Sequence, residues 1–221
     1  MLLGLEGWTK GRDMIDGKTL FAYVFIVLGL FLIPGPAVLL TLARSMGGGR
    51  RVGIATGLGI AVGDFVHTIM ATLGLSAVLA TSAMAFGVVK YAGAAYLIYL
   101  GIRSFLEKTE SLHLPAARAV SAGRAFRQGI LSEMLNPKTA LFFLAFLPQF
   151  VHPESGPAIA QFAVLGVIFV AMSAAYTAVL AVGAGSFRRW LSRYRTIGRW
   201  QGKVIGSIYI GLGVRLAFEK R

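Results

Sequence analysis

Four ionisable residues stand inside long apolar stretches of this sequence. Asp64 and Glu133 are the two acidic residues, of nine, that fall well inside such a stretch. His67 is the one histidine of three in that position, and Lys138 is the one basic residue near the middle of a stretch. An ionisable group inside a membrane is costly unless it is paired or hydrated. These residues are therefore candidates for binding a charged molecule or for moving protons.

Asp64 and His67 are three residues apart, so they share one face of a helix. Because histidine titrates near physiological pH, the pair is predicted to handle protons or to bind an ammonium group together with Glu133. A metal site is less favoured, since two side chains do not complete a ligand set and no second cluster supplies the rest. A structural ion pair between Asp64 and Lys138, which would only fix helix register, remains an alternative.

Two proline breaks interrupt the apolar stretches, at Pro36 after Gly35 and at Pro137 after Asn136. Proline fits the first turn of a helix and keeps the preceding residue out of the helical region. We therefore predict that each proline opens a half-helix whose N-terminus would suit a carboxylate. With Lys138 these four residues form the predicted substrate-binding set. The alternative is that both prolines are simple kinks, which membrane helices tolerate.

The elements that position these residues are predicted to be membrane helices. Charged residues make up 14% of the 221 residues, against roughly 25% in soluble domains, and each apolar stretch approaches the roughly 20 residues that a span needs. We predict an all-α, polytopic membrane protein: one transmembrane domain from 19 to 221, after an N-terminal extension over 1–18 in which Met14 is an alternative start. The six spans are predicted at about 19–43, 52–79, 86–106, 126–151, 157–186 and 201–218.

Basic residues alternate between the connections of these spans. Fourteen lie in or at the edges of the first, third and fifth connections, and seven lie at the edge of the second connection or near the two ends of the sequence. This distribution predicts cytoplasmic odd-numbered connections and both termini outside. The formal charge of +13 is therefore an orientation signal and not a nucleic-acid surface. The absence of cysteine excludes disulfides and thiolate metal sites, and no cofactor is predicted.

The two breaks occupy corresponding positions in two halves of three spans each. Such halves enter the membrane in opposite senses, so the sequence predicts two inverted three-helix repeats with broken helices one and four. Interrupted spans in matching positions are a pointer to a transporter site.

Five stretches spread over most of the sequence carry a family resemblance: Ile33–Pro36, Gly57–His67, Lys90–Leu97, Leu135–Phe143 and Phe146–Phe150. In these stretches the sequence resembles the LysE/RhtB family of amino-acid exporters. The resemblance implies a multi-pass protein of the bacterial cytoplasmic (inner) membrane that exports amino acids or their derivatives, driven by the proton gradient. One departure is Glu133, which stands where family members often have Asn, so coupling is expected to differ here.

The expected partners are an amino-acid substrate, protons and the lipid bilayer, with homo-oligomerisation left open. A cation or metal permease of similar architecture is the alternative function. An enzyme is not expected, because the sequence has no cysteine, no paired catalytic aspartates and no metalloprotease His-Glu-x-x-His motif.

Overall fold

A computed structural model describes residues 14–32, 35–77, 83–106 and 120–193, and residues 203, 206–207, 210–211, 213–214 and 217–218 of the C-terminal segment. Within these residues the ordered elements are all helical. The first helix, α1, is Gly17–Leu32. Asp16 precedes it and accepts hydrogen bonds from the amides of Lys18 and Thr19. These bonds, that of Thr19 foremost, lower the pKa of Asp16 below its usual value.

The second helix, α2, is Pro36–Met70, and a π-helical turn, Ala71–Leu75, continues it. Gly49 interrupts α2 with φ 79° and ψ 177°, a conformation that residues with a Cβ rarely adopt. A straight helix would hold Ser45 and Gly53 about 12 Å apart, yet a Cβ on Gly53 would overlap the hydroxyl of Ser45. The chain therefore folds back at Gly49, and α2 is a hairpin of two helical arms.

The third helix, α3, is Ala83–Leu106. The fourth, α4, is Ala122–Met134, and a break at Leu135 and Asn136 separates it from the short helix α5, Pro137–Leu141. A π-helical turn, Phe142–Phe146, and a 3-10 turn, Leu147–Phe150, continue α5, and this whole second segment is bent by 44° from α4. After a 3-10 turn at Pro153–Ser155, the last continuous helix, α6, is Ala158–Arg193.

The second arm of α2 packs between α4 and α6. Gly59 lets the backbones of α2 and α4 touch, because a Cβ there would overlap the carbonyl of Phe126. Further along both helices Gly63 lies against Glu133, so α2 and α4 run in the same direction. On the other side, Gly57 lies against Thr177 and Thr68 lies against Gly166, so α2 and α6 run in opposite directions.

The first helix runs in the same direction as α6. The hydroxyl of Tyr23 donates to the carbonyl of Leu165 at 2.8 Å, and further along Phe31 packs on Phe169 and Tyr176. These directions agree with alternate crossing of the first, second, fourth and fifth predicted spans.

Two described segments, Pro36–Leu75 and Ala158–Ala184, are long and apolar enough to cross a membrane, and the bent pair Ala122–Met134 and Pro137–Phe150 makes a third if counted as one span. The first predicted connection differs from expectation: residues 44–51 form no loop but the helical tip of the α2 hairpin. The first helix also begins two residues before the predicted span. The third connection lies largely, and the sixth span partly, outside the described residues.

Candidate functional site

A cavity lies where α1, α2, α4, α5 and α6 meet. The space among its lining side chains, including its open side, is about 400 Å³. Five of the eight residues predicted for the site line it: Gly35, Asp64, Glu133, Asn136 and Lys138. The fold thus brings together residues that are far apart in sequence. They lie on α1, both arms of α2, the α4–α5 break and α6.

Both proline breaks are helix starts, as predicted, but their caps differ. Pro36 is the first residue of α2, and Gly35 precedes it in an extended conformation with no side-chain cap. The first amide groups of a helix have no partner within the helix, and Ala37 and Val38 in this first turn line the cavity. The positive end of α2 therefore borders the cavity.

Pro137 is the first residue of α5, and the side chain of Asn136 caps it. The side-chain oxygen of Asn136 accepts a hydrogen bond from the backbone amide of Lys138 at 3.1 Å. This amide is therefore already occupied, so the N-terminus of α5 offers an anion less than the N-terminus of α2 does.

Glu133 is 2% exposed and is held by its neighbours. The side-chain amide nitrogen of Asn136 donates to both carboxylate oxygens, each at 3.2 Å. The hydroxyl of Thr139 donates a short hydrogen bond to Oε1 of the same carboxylate. Because every one of these groups donates, the carboxylate of Glu133 acts as acceptor only.

Asp64 has a different environment. It is 1% exposed, and neither carboxyl oxygen has a described group within ordinary hydrogen-bond distance. The side chains of Ser173 and Glu133 are polar groups close enough to interact with it. A buried polar group without a close hydrogen bond is costly. Asp64 is therefore the carboxyl group of the cavity with which a ligand can pair.

The carboxyl oxygens of Asp64 accept no hydrogen bond from Lys138. The ammonium nitrogen of Lys138 donates to the carbonyl of Leu30 at 2.7 Å. Its side chain also approaches Gly35, where an added Cβ would lie 3.7 Å from that nitrogen. The ammonium group thus stands beside the end of α1 and the start of α2, where it adds to the positive potential of the α2 N-terminus.

His67 lies next to the predicted site but does not line the cavity. Its Nε2 lies 3.0 Å from the backbone carbonyl of Glu133, and its ring stacks on Phe143 with centroids 5.8 Å apart. A carbonyl only accepts, so Nε2 must carry the proton and donate. His67 thus serves the carbonyl at the α4–α5 break, and does not bond to the side chain of Asp64.

Sequence reasoning missed the other polar residues of the lining. Thr139 lies three residues after Asn136, so the turn that opens α5 brings both to Glu133. Ser173, Tyr176 and Thr177 come from α6, a helix with no Asp, Glu, Lys, Arg or His in its central part and hence no signal. No group of three or more metal-ligating His, Cys, Asp or Glu residues occurs in the described ranges.

Two apolar clusters flank the cavity along α6. On α6, Phe162, Leu165 and Phe169 belong to a large cluster before the cavity, and Leu180 and Ala184 belong to a small one after it. The large cluster, here the aromatic plug, includes Tyr23, Phe142, Phe143, Phe146 and Phe150. The small cluster, here the aliphatic plug, is Val38, Leu42, Leu180 and Ala184. The cavity therefore lies between two apolar clusters of unequal size.

Comparison with known proteins identifies the family. The family model described as LysE type translocator matches residues 22–220. An uncharacterized membrane protein of Pseudomonas aeruginosa is 34% identical over 202 residues, which cover 89% of this chain and 94% of that protein. A homoserine/homoserine lactone efflux protein of Salmonella typhimurium is 32% identical over 198 residues, covering 89% of this chain and 95% of that one. A leucine efflux protein of Salmonella choleraesuis is 26% identical over 198 residues, covering 89% of this chain and 93% of that protein.

No solved structure is a significant match. The family model and the relatives both cover most of the chain, and the cavity with its two broken helices falls within the matched range. This chain belongs to the LysE type translocator family.

Proposed function

We propose that this protein is a secondary transporter that exports amino acids or their derivatives across the bacterial cytoplasmic membrane. The observation that carries the proposal is the arrangement of charge in the cavity. An available carboxylate, that of Asp64, shares the cavity with two positive groups, the uncapped N-terminus of α2 and the ammonium of Lys138. This arrangement is complementary to a zwitterion, whose ammonium and carboxylate are held a fixed, short distance apart.

The residue roles follow from this complementarity. The first turn of α2, after Gly35 and Pro36, and the ammonium of Lys138 receive the substrate carboxylate. Asp64 receives the substrate ammonium or, in its absence, a proton, so that one carboxyl alternates between the two cargoes. Such alternation is the minimal basis for antiport of a proton against an amino acid. Glu133 is the carboxyl group held in place beside Asp64 by hydrogen bonds, and His67 positions it through the backbone.

The transport cycle uses the predicted architecture of six spans in two inverted repeats, with the site between the two broken helices. The two plugs support this, because alternating access requires a barrier on each side of a site near the middle of the membrane. The helix directions also support it, since α1 and α6 run together and α2 runs against α6. With odd-numbered connections in the cytoplasm, the aliphatic plug faces the cytoplasm and the aromatic plug faces the periplasm.

The names of the relatives support export as the direction. Two of the three described above are named efflux proteins, for leucine and for homoserine or its lactone. These names belong to those proteins, and for this chain they favour an amino acid over an inorganic cation as the cargo.

A screen in cells tests this proposal. A strain that lacks the gene is grown with each amino acid, or with dipeptides that release it inside the cell. We expect growth inhibition by one or a few amino acids, relieved by the wild-type gene and not by the Asp64→Asn variant. A strain that responds only to divalent cations would instead support the cation permease and would remove the amino-acid proposal.

A further inference from the structure

The two carboxyl groups of the cavity are not equivalent, and this difference bears on substrate choice. Both oxygens of Glu133 are engaged by Asn136, and one of them also by Thr139. Neither oxygen of Asp64 has a described group within ordinary hydrogen-bond distance, and its polar neighbours include Ser173 and Glu133. The cavity therefore offers a ligand one loosely held carboxyl group and not two.

The orientation of Asn136 makes this restraint firm. Its side-chain oxygen is committed to the amide of Lys138, which caps α5. Its side-chain nitrogen therefore faces Glu133. If the side-chain amide were rotated by 180°, the hydrogen bond that caps α5 would be lost, and the amide oxygen would face the carboxylate oxygens of Glu133, which are also acceptors. The restraint on Glu133 is therefore built into the start of α5 and does not depend on a freely rotating side chain.

The remainder of the lining is poor in charge. Leu30, Phe31, Val38 and Ile60 supply apolar surface from α1 and both arms of α2. Among the described lining residues the ionisable groups are Asp64, Glu133, Lys138 and the phenol of Tyr176. A zwitterion that occupies Asp64, Lys138 and the α2 N-terminus leaves no free anion for a second ammonium group.

We propose that Asn136 and Thr139 are specificity-determining residues: by holding Glu133, they make the site select amino acids with uncharged side chains against those with basic ones. The proposal rests on the function proposed above. A basic side chain has to enter an apolar pocket unpaired, or break the bonds that hold Glu133, and either route costs binding free energy. Thr139 contributes its hydroxyl and Asn136 its amide, and neither needs to touch the substrate.

A matched pair of ligands and a matched pair of variants test this. L-Norleucine and L-lysine have side chains of similar length, and only lysine carries a terminal ammonium. Binding of each is measured on the purified full chain in detergent. Wild type should prefer norleucine by roughly ten- to a hundredfold, the range expected when a charged group lacks its partner. Thr139→Val removes the hydroxyl at nearly constant volume and should narrow this preference at least about tenfold, mainly through tighter lysine binding.

Two control variants separate specificity from folding. Thr139→Ser keeps the hydroxyl and should keep the wild-type preference. Thr56→Val makes the same exchange at a threonine that is also buried, but whose hydroxyl bonds only to the carbonyl of Val52 in its own helix. It should change neither ligand's affinity. The double variant Thr139→Val/Glu133→Gln should lose the gain in lysine binding, because that gain comes from the freed charge of Glu133.

The possible outcomes distinguish the specificity proposal from the proposed function. Lysine preferred by wild type, or an unchanged preference in folded Thr139→Val, would overturn the specificity proposal and leave amino-acid export standing. Binding of neither ligand, nor of any other amino acid, would remove the proposed function itself.

Discussion

At the scale of single residues, His67 shows how position decides chemistry. Its residue type favours proton handling, yet its Nε2 is committed to the carbonyl of Glu133 and its ring to Phe143. That carbonyl also accepts from the amide of Asn136, at 3.0 Å. His67 therefore stabilises the backbone where α4 ends.

The variant His67→Phe tests this reading. Phenylalanine retains the stacking on Phe143 but leaves the carbonyl of Glu133 with one donor fewer. We expect the free energy of unfolding to fall by about 1–3 kcal/mol, measured by thermal or denaturant unfolding in detergent. The pH dependence of transport should remain that of the wild type. A shifted pH profile at unchanged stability would make His67 a proton carrier instead.

Asp64 is the residue on which transport depends most. Asp64→Asn keeps the shape but removes the negative charge that is proposed to meet the ammonium or the proton. Because no described residue lies within ordinary hydrogen-bond distance of this carboxyl group, the exchange should leave folding intact and abolish export. Export is measured as efflux of labelled amino acid, with membrane content measured by immunoblot.

Two results would count against that assignment. Normal export by well-expressed Asp64→Asn would remove Asp64 from the mechanism. Loss of the protein from the membrane would favour a structural role for its charge.

At the scale of elements, the sequence located the helix starts but not their capping. Prolines mark where α2 and α5 begin because their geometry is local, and the structure has both starts where they were predicted. The proximity of Thr139 to Glu133 and the hairpin at Gly49 depend on packing between distant segments, which no local pattern reports. Gly49 follows Gly47 and Gly48, and such a run of glycines indicates a turn. It does not show that both helical arms of α2 extend right up to that turn.

The unequal caps lead to a prediction about the two prolines. Pro36→Ala removes the restriction on Gly35 and lets α2 extend backwards, which consumes the amide groups proposed to bind the carboxylate. We expect substrate affinity to fall by roughly ten- to a hundredfold. Pro137→Ala should have a smaller effect, since Asn136 already occupies an amide there. Affinity is measured for an amino acid and for the corresponding amine without its carboxylate.

The amine serves as the control in that comparison. It should lose little affinity in Pro36→Ala, because it makes no contact with the α2 N-terminus. Equal weakening of both ligands would indicate a general packing defect, and no weakening of either would mean that the break is only a kink.

At the scale of the whole molecule, the account depends on the predicted topology. Reporter fusions at Arg51, Ser111 and Arg193 should report cytoplasm, and fusions at Thr81 and Glu154 should report periplasm. The physical reason is the excess of basic residues in the odd-numbered connections. A cytoplasmic signal at Glu154 would be incompatible with two inverted repeats, because α6 would then enter the membrane from the wrong side.

The central claim is that the cavity binds an amino-acid zwitterion and carries it across the membrane. The most direct test is counterflow: purified protein in liposomes is loaded with one unlabelled amino acid at a time, and uptake of the same labelled amino acid is followed. We expect transient accumulation of at least one amino acid with an uncharged side chain by wild type, and none by Asp64→Asn. Counterflow by neither protein with any amino acid, or equal counterflow by both, would contradict it.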